Sequence, residues 1–311
     1  MSVVVPDAAP PGGAIVDDWE ALIGGVRPIP LSPPSAMLRT SLPAPAEEWQ
    51  ATVARLAGAV GRGRMDKVVL ARRVDALGDQ PIDVPAVLRR LESSAPESTI
   101  FAVTRSGRTF LGATPERLAW VAGDTFATVA LAGSAQRAVD PQADDRLADD
   151  LLASEKEREE HRVVVDELRG TLEPLAASLD ISVVPHVVRF RHVQHLETPI
   201  RGTLEEPRGV LPLVAALHPT PAVGGAPREL ALELIEEQEK LDRGWYAGPF
   251  GWVDRHGDGE FVVAIRSGVV QGREASLFAG CGIVADSDPA REWDESEMKL
   301  RALASALGEL R

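Results

Sequence analysis

The sequence predicts an α+β fold built mainly from antiparallel strands, and three observations carry that reading. Strand-like runs follow one another through short Ser-Gly, Gly-Asp and Asp-Gly turns. Such turns suit antiparallel neighbours, because parallel strands need a crossover of a dozen or more residues. Helical periodicity is confined to a few blocks and does not alternate with every strand, so a doubly wound sheet is not expected. No repeat, low-complexity segment or linker divides the chain.

The elements follow in order. Residues 1–45 hold 9 of the 24 prolines. Proline removes backbone donors and fixes φ, so this stretch reads as an extended or irregular arm that wraps the domain formed by residues 46–311. EEWQATVARLAGAV repeats at helical spacing and predicts a helix from Pro45 to Gly61. KVVLARRVDAL (67–77) is β-branched and apolar, a strand, and VPAVLRRLESS is a helix. STIFAVTRSGRTFLGATPERLAWVAGDTFATVALAG reads as several strands. One long helix is expected from about 142 to 179, then strands near 182–189 and 193–203, and a helical zone over 209–242. Hairpins turn at Gly257-Asp258-Gly259 and at Gly272. A helix over 289–310 ends the chain.

Composition excludes whole classes of function. The 33 basic and 47 acidic residues of this 311-residue chain leave a net charge of −14. A nucleic-acid binder needs clustered cations to displace phosphate counterions, so that partner is not expected. The balance does not fit an anionic membrane surface either. No apolar run reaches about 18 residues, and MSVVVPDAAPPGG lacks a basic leader segment. The single cysteine, Cys281, allows no intrachain disulfide. It reads as a small buried residue of a cytoplasmic protein.

Two helices break the usual amphipathic rule. In ASEKEREEHRVVVDELRGTLEPL, Val164, Leu168, Leu172 and Leu175 share one stripe, and Glu157, Glu160 and His161 fall on or beside it. In AREWDESEMKLRALASALGEL, Leu303, Leu307 and Leu310 define the stripe, with Glu292, Glu295 and Lys299 on the same side. Buried carboxylates cost several kcal/mol (about) unless they are paired or bind a metal. Two inward E-x-x-E pairs with few histidines suit a hard divalent ion, Mg²⁺ before Zn²⁺. The same spacing also occurs on solvated helix ends.

Other stretches admit two readings. Glu116 in GATPERL is a general acid at a strand end or a surface turn. The turn in LAGSAQR could cradle an anion through free N–H groups or be a plain tight turn. Lys67 starts a strand, where lysine is usually solvated. Gly280 and Gly282 in FAGCGIVADSDP permit close ligand approach or a packing bend. His195 on its strand is a catalyst or a satisfied structural residue. The acids from Asp140 to Asp150 read as a solvated helix start.

KVVLARR, GATPERL, ALAGSAQR, SEKEREEH, HLETPIRG, LHPTPAVGG, GWYAGPFGW, FVVAIRSG and AGCGIVADSDPAREWDES, followed by Lys299, occur in this order. Together they resemble the chorismate-utilising enzyme family over roughly residues 50 to 311, most closely its isochorismate synthase branch. The resemblance implies two stacked antiparallel sheets flanked by helices, shortened at the N-terminus, with the site in a cleft between them. It implies a monomer that takes chorismate with Mg²⁺ as cofactor. Glu160 and Glu295 map onto the metal ligands, with Glu157 and Glu292 supporting them through water. Lys67 maps onto the base that activates water, Glu116 onto the acid, and His195 onto the group that orients the C4 hydroxyl. Arg266 and Lys299 match carboxylate-binding positions, and Gly133, Ser134, Gly280 and Gly282 offer backbone N–H donors. Thr220, Ala222 and Tyr246 match the pocket wall. Ser134 departs from the family's usual threonine but keeps the hydroxyl. The implied outlet is menaquinone or catecholate siderophore synthesis. The salicylate synthase branch, which also eliminates pyruvate, and a non-catalytic chorismate-binding subunit are the alternatives.

Overall fold

The computed structural model describes residues 37–42, 45–191 and 193–310. Most of the proline-rich arm expected over 1–45 lies outside them. Its described end is β1 (Met37–Ser41), a strand of the first sheet rather than an irregular arm. Helix α1 (Ala46–Gly61) follows, with Trp49, Val53 and Leu56 on its buried face. Strand β2 (Lys67–Gly78) leads to α2 (Val84–Ser94), whose N-terminal amide of Ala86 donates to the Asp83 carboxylate at 3.2 Å. The expected strand run is four strands, β3 (Thr99–Arg105), β4 (Arg108–Thr114), β5 (Arg117–Ala122) and β6 (Thr125–Gln136).

The single helix expected over 142–179 is instead two, α3 (Pro141–Ala153) and α4 (Glu155–Leu172). Ser154 separates them in an extended conformation, and its Oγ accepts from the Glu157 amide at 3.4 Å. After a 3₁₀ turn at Glu173–Leu175 the chain enters β7 (Ala176–Ile181), β8 (His186–Arg189) and β9 (Val193–Leu204). The helical zone resolves into α5 (Val210–Leu217) and α6 (Arg228–Glu239), with short β10 (Gly225–Ala226) between them. Both expected hairpins form, β11 (Pro249–Val253) with β12 (Gly259–Val263), and β13 (Ser267–Gln271) with β14 (Glu274–Ile283). Helix α7 (Pro289–Leu307) stops three residues earlier than expected, and β15 (Glu309–Leu310) closes the described chain.

These strands make two sheets. The first runs β15-β1-β2-β14-β13-β4-β3, with β10 also on β2; the second runs β11-β12-β5-β6-β9-β7, with β8 also on β9. Every pair is antiparallel except β1 with β15. The sheets face each other through one core, in which Ala71 and Phe278 of the first meet Leu118, Phe126 and Ile200 of the second. The predicted stripe of α4 supplies Val164, Leu168 and Leu172 to that core. Leu300, Leu303 and Leu307 of α7 pack against the outer face of the first sheet. The fold is thus two stacked sheets flanked by helices, and it brings the inward ends of α4 and α7 toward one mouth.

Candidate active site

The long pairing of β2 with β14 sets the floor of the site, with Val69 opposite Gly282 and Ala71 opposite Gly280. Lys67 begins β2 and is fully buried, unlike the solvated lysine that local sequence favours. Its ammonium lies 3.0 Å from Oε1 of Glu160 on α4. The pair fits because Gly282 has no side chain. A Cβ there would lie 2.2 Å from Glu160 Oε1 and 2.5 Å from Lys67 Cε.

Glu116 follows β4 and precedes β5, and it is buried, not a surface turn. Thr220 Oγ1 donates to its Oε1 at 3.4 Å. Burial pushes the Glu116 carboxyl up to about 7, against the opposing pull of Lys67, Lys299 and Arg266. The group therefore keeps a proton near neutrality, as a general acid must.

Gly133 sits at a bulge between β6 and β9, with φ of 76°. The bulge re-aims Ser134 toward α4. The Ser134 amide, which the resemblance offers to substrate, already donates to Glu157 Oε2 at 2.9 Å. His195 on β9 is buried, and Arg266 Nη2 lies 2.9 Å from its Nε2. Guanidinium only donates, so Nε2 accepts and the proton sits on Nδ1. Nδ1 then donates to the Gly133 carbonyl at 3.1 Å, with Ser134 Oγ at 3.0 Å. Burial, with Arg266 and Lys299 nearby, holds the imidazole well below its usual range. His195 is thus held neutral, and Arg266 stands beside it in a left-handed backbone conformation at φ 53°.

Lys299 donates to the Gly280 carbonyl at 3.0 Å and pairs with Glu295 at 2.5 Å. Tyr246 stacks on Phe278 with ring centroids 5.2 Å apart, and burial pushes its phenol up to about 12. Of the residues singled out in sequence, Glu116, Gly133, Ser134, Glu160, His195, Ala222, Tyr246, Arg266, Gly280, Gly282 and Lys299 line one cleft. Lys67 and Thr220 lie just behind it, Lys67 ion-paired with Glu160 and Thr220 hydrogen-bonded to Glu116.

Glu157, Glu292 and Glu295 line the adjoining mouth, which shares Ser134 with the cleft. Glu292 is fully buried, and both of its carboxylate oxygens lack a hydrogen-bond partner among the described residues. Lys156 Nζ lies 2.9 Å from Glu292 Oε1 and 3.0 Å from Glu157 Oε1, an ion pair with each. Burial and Glu295 push the Glu292 carboxyl up to about 7. Burial and Glu160 likewise raise Glu157. For Glu295 burial works upward too, but Lys299 and Lys156 outweigh it and the carboxyl lies below its ordinary value. Ligand atoms of Glu292, Glu295 and Cys281 lie within 4.8 Å of one another. A carboxylate-rich cluster in which Glu292 Oε2 has no partner among the described residues fits a hard divalent cation, so Glu160 and Glu295, backed by Glu157 and Glu292, could hold one.

Sequence reasoning missed two cations. Arg243 lines the cleft and is clamped by Glu239, with its Nη1 and Nη2 donating to the Val223 and Val69 carbonyls at 2.8 and 2.9 Å. Its signal was the short DRGWYAG segment that also carries Tyr246. Lys156 was passed over between two glutamates. His161, by contrast, is structural: its ring bridges the Ala132 carbonyl and Thr198 Oγ1, and burial lowers it to about 4. Asp144 is also no solvated helix residue. It is buried, and Arg137 holds its carboxylate down to about 2.

Among the described residues no helix is long and apolar enough to cross a membrane. The chain is 46% identical over 261 residues to a salicylate biosynthesis isochorismate synthase of Pseudomonas aeruginosa, covering 84% of this chain and 54% of that protein. It is 42% identical over 262 residues to isochorismate synthase MenF of Bacillus subtilis, covering 84% and 56%. The chain thus spans about half the length of these curated relatives. The solved structure of MenF, the menaquinone-specific isochorismate synthase from Escherichia coli, superposes with a TM-score of 0.82 at 30% identity, over 94% of this chain and 68% of that one. The model of the family described as chorismate binding enzyme matches residues 18–308, and the chain belongs to that family.

Proposed function

We propose that this protein is an isochorismate synthase that converts chorismate reversibly to isochorismate with Mg²⁺. The observation that carries the reading is that proton-bearing Glu116 and Glu160 line one cleft, with Lys67 paired to Glu160 behind it and Glu157, Glu292 and Glu295 at the adjoining mouth. The names of the relatives support the same branch.

In this reading the Lys67 ammonium first gives its proton up to solvent, and the free amine then takes a proton from water while the oxygen bonds to C2 of the ring. The two ring double bonds shift, and the C4–O bond breaks. Glu116 gives its proton to the departing hydroxyl, which leaves as water. One water enters and one leaves, so the net change is an isomerisation. His195, fixed as the Nδ1–H tautomer, orients the C4 hydroxyl. Arg266 and Lys299 receive the substrate carboxylates. Glu160 and Glu295 would hold Mg²⁺, with Glu157 and Glu292 behind them. Bound there, the ion would fix the ring carboxylate and polarise the conjugated system.

The test is to incubate purified protein with chorismate and Mg²⁺ and resolve the products chromatographically. Isochorismate without pyruvate is expected. Salicylate with pyruvate would assign the chain to the salicylate-forming branch. No turnover would leave only a chorismate-binding role.

A further inference from the structure

Lys156 is the second residue of α4, one turn ahead of Glu160. A cation there is locally unfavourable, because the helix N-terminus already carries partial positive charge. Its side chain nevertheless turns inward, about four-fifths buried, with the ammonium 3.0 Å from Glu157 and 2.9 Å from Glu292. Burial disfavours that charge, while Glu160, Glu295, Glu292 and Glu157 all favour it. Those four carboxylates are the set assigned above to the divalent ion. Two cations cannot occupy the space between the same oxygens.

We propose that Lys156 is a built-in competitor for the metal, so that a divalent cation settles among the four carboxylates only as the lysine swings out. The other two lysines of the site are not free to do this. Lys67 is sealed in, and Lys299 is tied to the Gly280 carbonyl. Lys156 opens onto the solvent-facing mouth, whose rim mixes the exposed acids Asp286, Asp288 and Asp294 with the exposed Arg191, Arg291 and Arg301, so the displaced ammonium would move out toward solvent and those acids. The competition weakens metal binding but keeps the buried carboxylates neutralised against one another. It follows that the lysine sets the metal concentration at which the site fills.

The inference rests on the Mg²⁺ reading above, and the experiment separates the two. Mg²⁺ is titrated calorimetrically into the wild type, Lys156→Gln and Lys156→Arg, without substrate. In parallel, amine acetylation of the wild type is mapped by mass spectrometry with and without saturating Mg²⁺. Lys156→Gln should bind Mg²⁺ roughly tenfold more tightly, melt lower in chelator and regain more stability on Mg²⁺ addition. Lys156→Arg should stay within about twofold of wild type, since it keeps the competing charge. Acetylation of Lys156 should rise several-fold with Mg²⁺ while that of Lys299 does not. Equal or weaker Mg²⁺ binding by Lys156→Gln would overturn the proposal. If that variant does not fold, unchanged acetylation of Lys156 in the wild type overturns it instead. Absence of any Mg²⁺ heat in the wild type would overturn the metal reading itself.

Discussion

Replacing Gly282 by alanine sends one methyl group into a filled corner of the site. The added Cβ would stand 2.2 Å from Glu160 Oε1, 2.5 Å from Lys67 Cε and 2.9 Å from Glu160 Cδ. To restore ordinary contact the carboxylate oxygen must withdraw by about 1 Å. The obstructing atoms are the ends of flexible side chains rather than backbone, so the fold can absorb the change. Overpacking of this kind costs about 1–3 kcal/mol, and the low end applies here. Function has no such slack, since a displacement of about 1 Å at reacting groups costs roughly a hundredfold in rate. The expected result is a large fall in kcat for isochorismate formation with only a few degrees lost in Tm, followed by product chromatography and circular dichroism. Gly280→Ala is the control. Its Cβ would meet the Tyr246 hydroxyl at 3.2 Å and Val69 Cγ1 at 3.3 Å, distances that a small adjustment relieves, so kcat should stay within about tenfold. Wild-type turnover in Gly282→Ala would refute the claim that this glycine sets the Lys67–Glu160 pair.

Three further outcomes follow. Glu116→Gln should lower kcat by about a hundredfold or more, and the wild-type forward rate should fall as pH rises through about 7, because the acid form is lost. The folded carboxyl lies above its unfolded value of 4.5, so its stabilising contribution is complete below that value and is lost as pH climbs through about 7. By pH ~8 the wild type should have lost about 3 kcal/mol relative to pH ~4 that Glu116→Gln retains, measured by urea unfolding; parallel pH curves would contradict this. Lys67→Ala should remove turnover while calorimetry still detects chorismate binding, and retained turnover would exclude Lys67 as the base. Glu295→Gln should shift the Mg²⁺ activation curve roughly tenfold or more to higher concentration, whereas an unchanged curve would contradict the ligand assignment.

Helical phase made the carboxylates legible. Glu157, Glu160, Glu292 and Glu295 were found because a 3.6-residue period is a strong local constraint, and each helix put its pair beside leucines and valines that had to be buried. The same wheel could have found Lys156, which lies about 40° from Glu160 around α4; it was missed because a lysine beside glutamates reads as a surface pair. The break at Ser154 was legible too, since Ser-Glu-Lys-Glu is a capping-box sequence. Burial of Lys67 and Glu116 was not. Each stands at the end of a strand, where alternation says little, and each is covered by elements far away in sequence, Lys67 by α4 and Gly282, Glu116 by the Thr220 loop. Ordered motifs resembling a family supplied those roles where local pattern could not. The sheet order was likewise set by long-range pairing, as in β2 with β14, which no turn rule reaches.

The net charge of −14 argues against large polyanions, yet the proposed function requires the site to accept a small one. The reason lies in local balance. Glu157, Glu160, Glu292 and Glu295 face Lys67, Lys156, Arg266 and Lys299, while burial pushes Glu116, Glu157 and Glu292 toward their neutral forms. A divalent cation and a dicarboxylate entering together add no net charge to that set. Either alone leaves an uncompensated double charge in a low-dielectric cleft, which is costly. Metal and substrate should therefore strengthen each other's binding by the same factor, as linkage requires. Displacement of Lys156 by the metal moderates this coupling, because the ammonium that moves outward to the mouth offsets part of the charge the metal brings. The surface charge of the chain, carried by the remaining acids, enters none of these terms beyond a screening distance of about 8 Å.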